Sequence, residues 1–217
     1  MTIKGIIFDV DGILVNSEPY YFEQRLAYLN SIGADLSVEQ SRRFIGSNMN
    51  AVLNQIFPQK SLAERNQIKA GYTAYKAAHP LSFKAILNPD AQLLLAQLTD
   101  DYQIGLASAG ERAGIDQMLL ETGLTPYFET ITSGAETEHN KPAPDVYLAA
   151  LNALSLTANQ AIAIEDSMYG IAAGKAAGLT VIALKPLDSN FKIDQSAADY
   201  QVNSLTEVPA ILAKLIN

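Results

Sequence analysis

Two aspartates spaced two apart, Asp9 and Asp11, end the apolar run Ile6-Ile7-Phe8 and are followed at once by Gly12. Carboxylates are expensive to bury unpaired, and that cost becomes tolerable where they hold a cation at the C-terminal edge of a strand. Glycine then lets the backbone turn sharply and approach a ligand closely. Taken alone, the stretch is equally well explained as a strand followed by an Asp-rich turn. It does not fit an EF-hand calcium loop, which follows a helix and needs glycine at its sixth position with alternating acids beyond. A second pair of acids, Glu165-Asp166, followed by Ser167, ends the run Ala-Ile-Ala-Ile, although Asp166 or Ser167 also suits a helix cap. Ser108-Ala109-Gly110 ends a third run, in a turn that would aim backbone N–H groups and a helix dipole at an anion. Ser108 on its own reads as an N-cap. Lys141 sits in His139-Asn140-Lys141-Pro142-Ala143-Pro144-Asp145, where two prolines stiffen the chain; a lone loop lysine is ordinarily solvated. His79 and His139 are too isolated for a histidine metal site or a catalytic triad.

The elements that must position these groups follow from periodicity and punctuation. After Gly12 the pattern is helical for about seventy residues. A helix is expected over 19–32, with Phe22, Leu26 and Leu29 on one stripe, Asn16 or Ser17 as its cap and Gly33 as its stop. Ser37 with Gln40 forms a capping box that opens a short helix ending near Gly46; another helix runs 48–57, and Ser61 with Glu64 opens a longer one ending before Pro80. From Leu87 strand and helix alternate. Strands are expected at 103–108, 130–133, 161–165, 179–184 and 200–202, and helices at 89–98, 113–122, 145–154, 168–177 and 207–216. Gly170 and Gly174 read as close packing of helix on sheet. The alternation predicts an α/β fold: a parallel doubly wound, Rossmann-like sheet with an inserted all-α segment. The expected domains are a core of residues 1–15 and 84–217 and a helical insert of residues 16–83. Ligands bind such sheets at the C-terminal strand ends. One edge therefore gathers Asp9, Asp11, Glu165 and Asp166 with Lys141 and Ser108. Several carboxylates in one site repel unless a divalent cation joins them, hard oxygen donors suit Mg²⁺, and metal, lysine and an anion-binding turn together suit a phosphoryl group.

Composition narrows the partners. The chain has 217 residues, 48% hydrophobic and 18% charged, which predicts a globular protein with a sizeable core. Its net charge of −8 argues against nucleic acid or an anionic membrane as the main partner. With no cysteine there is no disulfide framework and no thiolate chemistry. No apolar stretch approaches a membrane span and no signal-peptide pattern is seen, so a cytoplasmic protein is expected.

In order and spacing, Asp9-Val10-Asp11-Gly12, Ser108, Lys141 within Lys-Pro-Ala-Pro-Asp, and Glu165-Asp166-Ser167 resemble the four motifs of the haloacid dehalogenase-like superfamily, in the branch with a helical cap. The likeness extends over the whole chain and is strongest to β-phosphoglucomutase-related phosphatases and mutases. It implies a phosphoric monoester hydrolase acting on a small phosphorylated metabolite, as a monomer. Dehalogenases lack the second acid, so Asp11 points to phosphoryl transfer. By this resemblance Asp9 is the nucleophile and Asp11 the acid and base. Mg²⁺ is held by Asp9, Asp166 and the Asp11 carbonyl, with Glu165 a ligand or a partner one step removed. Ser108, the Ala109 amide and Lys141 hold the phosphoryl group, and the cap excludes water and reads the substrate. A hexose-phosphate mutase is the alternative, and a non-catalytic phosphate sensor is a third reading. Against a mutase, the histidine and acid expected around the first cap helix fall on Tyr21 and Asn16, and the basic residues expected near the cap glycine fall on Ile45 and Met49, with Arg42 and Arg43 nearby. Tyr20, Tyr21 and Phe44 are assigned to the core rather than to a pocket.

Overall fold

A computed structural model describes residues 2–44, 49–186 and 193–216. Six parallel strands form one sheet in the order β3-β2-β1-β4-β5-β6. They are β1 (Gly5–Phe8), β2 (Gln103–Ser108), β3 (Thr130–Ser133), β4 (Ala161–Glu165), β5 (Thr180–Leu184) and β6 (Tyr200–Val202). This is the doubly wound order, with β1 central and the strand order reversing between β1 and β4. The helices of this unit are α5 (Ala91–Leu98), α6 (Arg112–Thr122), α7 (Asp145–Ala153), α8 (Met168–Ala176) and α9 (Val208–Ile216). Four remaining helices lie in the insert: α1 (Glu18–Ser31), α2 (Val38–Arg42), α3 (Met49–Ile56) and α4 (Leu62–Ala78). The chain divides into two compact units, Met1–Ser17 with Phe83–Asn217, and Glu18–Ser82.

Strands of this kind are buried on both faces, and β1 and β4 are buried at every position. One cluster joins Ile7, Ala107, Ala163 and Val181 of the strands to Val146, Tyr147 and Ala150 of α7 and Ile171 and Ala173 of α8. Gly174 brings α8 close, since a Cβ there would lie 3.0 Å from Val181 Cγ2. Two backbone segments that flank the insert are tied together inside the sheet unit: Asn88 N–H donates to Leu14 O at 2.8 Å, Asn88 Nδ2 to Ile13 O at 2.9 Å, and Asn16 N–H to Ile86 O at 2.8 Å. Five short 3₁₀ turns among the described residues, such as Phe83–Ile86 and Gly134–Glu136, were not expected. Turns this short bury no continuous face and leave no period in the sequence.

Within the helical unit Tyr28, Leu29, Phe44, Val52 and Leu53 form the buried cluster, with Leu36, Met49, Ile56 and Tyr72 packed against it. Phe44 is thus core, as expected, whereas Tyr20 and Tyr21 are half-buried and Tyr20 Oη donates to His79 O at 2.8 Å. Both capping boxes form: Ser37 with Gln40 opens α2, and Ser61 with Glu64 opens α4. The expected helix end near Gly46 and helix start at Asn48 lie outside the described residues.

The Ser61 side chain accepts from Glu64 N–H while Glu64 accepts from Ser61 N–H at 2.8 Å. Removing an N-cap hydroxyl costs about 1 kcal/mol. Ser61→Ala is therefore expected to lower amide-exchange protection in α4 about fivefold while leaving β1 and β4 unchanged, as read by native-state hydrogen exchange. Equal protection in α4 would show that the box adds nothing to this helix.

Candidate active site

Parallel register puts the first acid where a ligand can reach it. Phe8 pairs with Leu106 and with Ile164, so Asp9 leaves β1 level with the ends of both neighbours, and its N–H donates to Ile164 O at 3.0 Å. Asp9, Glu165 and Asp166 are all buried, and one carboxylate oxygen from each falls within 4.8 Å of the others. Three acids this close need positive charge. Lys141 supplies it from the loop before α7: Nζ lies 2.7 Å from Asp9 Oδ1, 2.7 Å from Glu165 Oε1 and 3.0 Å from Ala107 O. The ammonium also lies 4.9 Å from the centroid of the Tyr147 ring, whose hydroxyl donates to Glu165 Oε1 at 3.1 Å. A loop lysine is usually solvated, but this side chain is only 5% exposed.

The titration behaviour follows from burial. Desolvation, with Glu165 and Asp11 adding to it, pushes the Asp9 carboxyl up to about 7 against the pull of Lys141. For Lys141 burial works toward deprotonation, but Asp9 and Glu165 outweigh it and hold the ammonium well above the usual lysine range.

Both oxygens of Glu165 are taken up by protein donors. Lys141 and Tyr147 reach Oε1, while Asp166 N–H at 2.9 Å, Ser167 N–H at 2.9 Å and the Ser167 hydroxyl at 3.1 Å reach Oε2. Glycines make room for the acids. Gly170, like Gly174, brings α8 close to the sheet as expected, and its neighbour there is the Glu165 carboxylate at the end of β4, which a Cβ would overlap. Gly12 adopts φ +78°, and a Cβ on it would overlap the Asp166 carboxylate. The Asp11 carboxylate is not one of the clustered three; its Oδ1 accepts a short hydrogen bond from the Ser17 hydroxyl.

On the other side of β1, Ser108 ends β2 and its Oγ accepts from Gly110 N–H at 3.1 Å. It does not cap the next helix, because α6 begins at Arg112 with Glu111 in the N-cap position. Ala109 is exposed at the tip of this turn. Its carbonyl accepts from Asn140 Nδ2 at 2.9 Å, and Asn140 Oδ1 accepts from Lys141 N–H at 2.8 Å, so one side chain ties the Ser108 turn to the Lys141 loop. Ser167, rather than Asp166, caps α8 by accepting from Gly170 N–H at 3.0 Å. Asp9, Lys141, Glu165 and Asp166 are thus brought together directly, and Ser108 and Ala109 are joined to them through Asn140 and β2. Four further residues of this neighbourhood had no assigned chemical role: Ser17, Asn140, Tyr147 and Gln195, whose buried Nε2 donates to Asp166 O at 2.6 Å and Leu184 O at 2.8 Å. Asn140 was adjacent to Lys141 and could have been weighed as an anchor, but Tyr147 carries no signal that separates it from an ordinary core aromatic. Among the described residues no helix is long and apolar enough to cross a membrane.

Comparison with known proteins places this geometry. A family model described as haloacid dehalogenase-like hydrolase matches residues 6–184. The protein CbbY of Rhodobacter capsulatus is 29% identical over 228 aligned positions, covering 95% of this chain and 95% of that protein. Hexitol phosphatase B of Escherichia coli K12 is 26% identical, covering 96% of this chain and 95% of that one. Among solved structures, β-phosphoglucomutase from Clostridium difficile superposes with a TM-score of 0.79 at 21% identity, covering 99% of this chain and 97% of that one, a likeness of fold. The chain is an enzyme of the haloacid dehalogenase-like hydrolase family.

Proposed function

We propose that this phosphoester hydrolase is a Mg²⁺-dependent phosphatase that acts on a small phosphorylated metabolite, a sugar phosphate or similar, through an aspartyl-phosphate intermediate. The observation that carries the reading is the buried Asp9 carboxylate, clustered with Asp166 and Glu165 and held by Lys141 at 2.7 Å. An all-oxygen donor set suits Mg²⁺. Because protein donors fill both Glu165 oxygens, Asp9 and Asp166 with the Asp11 carbonyl would hold the ion, and Glu165 would position Lys141 and the backbone of Asp166 and Ser167. Bound there, Mg²⁺ would offset negative charge between Asp9 and the phosphoryl group.

An Asp9 oxygen attacks phosphorus and forms the acyl phosphate as the P–O bond to the leaving group breaks; Asp11 delivers its proton to that departing oxygen. Asp11, now a carboxylate, takes a proton from water, whose oxygen attacks phosphorus and releases Asp9 and inorganic phosphate. The Ser17 hydroxyl holds the Asp11 side chain. Ser108, the Ala109 N–H and Lys141 hold the equatorial oxygens. One relative, a hexitol phosphatase, supports both the reaction class and the substrate class. The helical unit carries substrate selection, and the protein works as a cytoplasmic monomer.

Hydrolysis is favoured over mutase chemistry by the insert's own side chains. Met49 packs against the apolar cluster of the helical unit and Tyr21 is half-buried in α1, which leaves the exposed Arg42 and Arg43 as the residues that could compensate for the missing basic pair. Ile45 lies outside the described residues. A mutase needs to grip a bisphosphate, and charged phosphate contacts are worth about 1.5–3 kcal/mol each.

Asp9→Asn is expected to fold normally and to lose essentially all turnover of p-nitrophenyl phosphate, because an amide is not a competent nucleophile. Retention of more than a few per cent of activity would remove Asp9 from that role. The raised carboxyl also sets a pH dependence. With a folded pKa of about 7, Asp9 is mostly protonated at about pH 6 and ionised at about pH 8.5, and an ion binds only the ionised form. Calorimetry in buffers of different ionisation enthalpy should show about one proton released per Mg²⁺ at the lower pH and almost none at the higher, with affinity falling as pH falls. Mg²⁺ affinity independent of pH across this range would place the ion elsewhere. Finally, ³¹P NMR of β-glucose 1-phosphate with Mg²⁺ and a trace of the 1,6-bisphosphate should show slow release of inorganic phosphate or no reaction. Rapid accumulation of glucose 6-phosphate without inorganic phosphate would establish the mutase instead.

A further inference from the structure

Distance alone would let three carboxylates share an ion, since one oxygen each from Asp9, Glu165 and Asp166 lies within 4.8 Å of the others. Hydrogen bonding divides them. An ionised carboxylate offers about four lone pairs, two on each oxygen. On Glu165 those of Oε2 face the N–H groups of Asp166 and Ser167, both at 2.9 Å, with the Ser167 hydroxyl as a third donor at 3.1 Å. Those of Oε1 face Lys141 Nζ at 2.7 Å and the Tyr147 hydroxyl at 3.1 Å. Every lone pair of this carboxylate thus meets a protein donor.

The donors are not equally committed to Glu165. Two are backbone N–H groups of the turn after β4, fixed by the chain itself. Lys141 also serves Asp9 and Ala107 O. The Ser167 hydroxyl is in excess on Oε2 and caps α8 by accepting from Gly170 N–H. Tyr147 differs. Its ring is fully buried among Val146, Ala150, Ile171 and Ala173, where a phenylalanine would fill the same space without bringing in a polar atom. A buried hydroxyl is costly unless it is hydrogen-bonded, and this one donates to Glu165 Oε1 and lies 3.4 Å from Lys141 Nζ. Packing accounts for the ring; the hydroxyl is accounted for by the acid it occupies.

Ion choice depends on how many carboxylates are on offer. Mg²⁺ demands a small octahedral shell, dehydrates reluctantly and is usually bound through one or two carboxylates. Ca²⁺ takes roughly six to eight oxygens in a looser shell, and its affinity is tuned by ligand charge. We propose that the Tyr147 hydroxyl, by occupying Glu165 Oε1, keeps the third carboxylate off the ion and so sets the site's preference for Mg²⁺ over Ca²⁺. The inference rests on the metal reading above and adds to it a positioning residue that governs ion choice through Glu165 without touching the ion.

The test is calorimetric titration of Mg²⁺ and of Ca²⁺, separately and at one fixed pH, into the wild type, Tyr147→Phe and Ser167→Ala. Tyr147→Phe keeps the ring and frees one lone pair of Oε1, and it should raise Ca²⁺ affinity relative to Mg²⁺ affinity about tenfold. Ser167→Ala also removes one hydroxyl donor from Glu165, but Oε2 keeps its two backbone donors, so the ratio should not move. A spectroscopic count shows whether the carboxylate enters the shell. Luminescence lifetimes of bound Tb³⁺ in H₂O and D₂O report the waters on the ion, and Tyr147→Phe should hold about one fewer than the wild type. An unchanged ratio, an unchanged water count or an equal shift in Ser167→Ala overturns the inference. Thermal melts check folding, and Tyr147→Met, which fills the space without a hydroxyl, carries the comparison where Tyr147→Phe does not melt cooperatively. Absence of Mg²⁺ binding by the wild type would defeat the metal reading. Ca²⁺ and Tb³⁺ binding gained by Tyr147→Phe would then still support the role of Tyr147, and no gain would overturn it as well.

Discussion

A buried ammonium between two buried carboxylates is the interaction on which the rest of the sheet unit's chemistry depends. Lys141 Nζ is 2.7 Å from both Asp9 and Glu165, and all three side chains are almost wholly removed from water. Each ion loses several kcal/mol of hydration on burial, which mutual attraction offsets only when the geometry is tight and the remaining donors and acceptors are satisfied. Here they are: Ala107 O takes the third Nζ proton, and Tyr147, Asp166, Ser167 and Lys141 fill Glu165. Deleting any one member would strand the others, so the arrangement is held as a unit rather than as a set of pairs.

That unit exists because four separated segments end at one place. Parallel strands deliver their C-terminal ends to a common edge, and the reversal of strand order between β1 and β4 opens the crevice where Asp9 meets Glu165 and Asp166. Backbone without side chains is then needed at two points, Gly12 beside Asp166 and Gly170 beside Glu165, since a methyl group at either would occupy the carboxylate's space. Asn140 and Gln195 complete the frame from the outside, fixing carbonyls of the Ser108 turn and of Asp166. Site geometry and fold stability therefore share the same residues, and neither can be altered independently at these positions.

Legibility in the sequence tracked how local the cause was. Strands β2, β3, β4 and β6 were placed to the residue, β4 because it is an apolar run ended by a polar turn, and the two capping boxes because their signal spans four residues. The 3₁₀ turns escaped for want of a repeating face. Acids at strand ends were readable because a carboxylate closing an apolar run has few structural excuses. Ser17, Tyr147 and Gln195 were not, since their roles arise from contacts six, 18 and 29 residues away in the chain. Tyr147 in particular sits on the apolar face of α7, where the sequence gives an aromatic no chemical accent.

The charge balance of the site explains why it cannot work as an isolated set of side chains. Among the described residues Asp9, Glu165 and Asp166 cluster around one ammonium, in a chain that is acidic overall, so on the proposed reaction a phosphate dianion would meet a field of its own sign. Something positive must enter before or with the substrate. Burial raises the Asp9 carboxyl, with Glu165 and Asp11 adding to it against the pull of Lys141, so a hydrogen ion competes for the group that the proposed mechanism uses as a bare nucleophile. A divalent ion would displace that proton, restore the carboxylate and cancel the repulsion in one event. On this argument the burial that raises Asp9 is not a defect tolerated by the fold. On the proposed mechanism it would make the nucleophile conditional on the cation, so that Asp9 would be unmasked only when the charge needed to receive a phosphoryl group is in place.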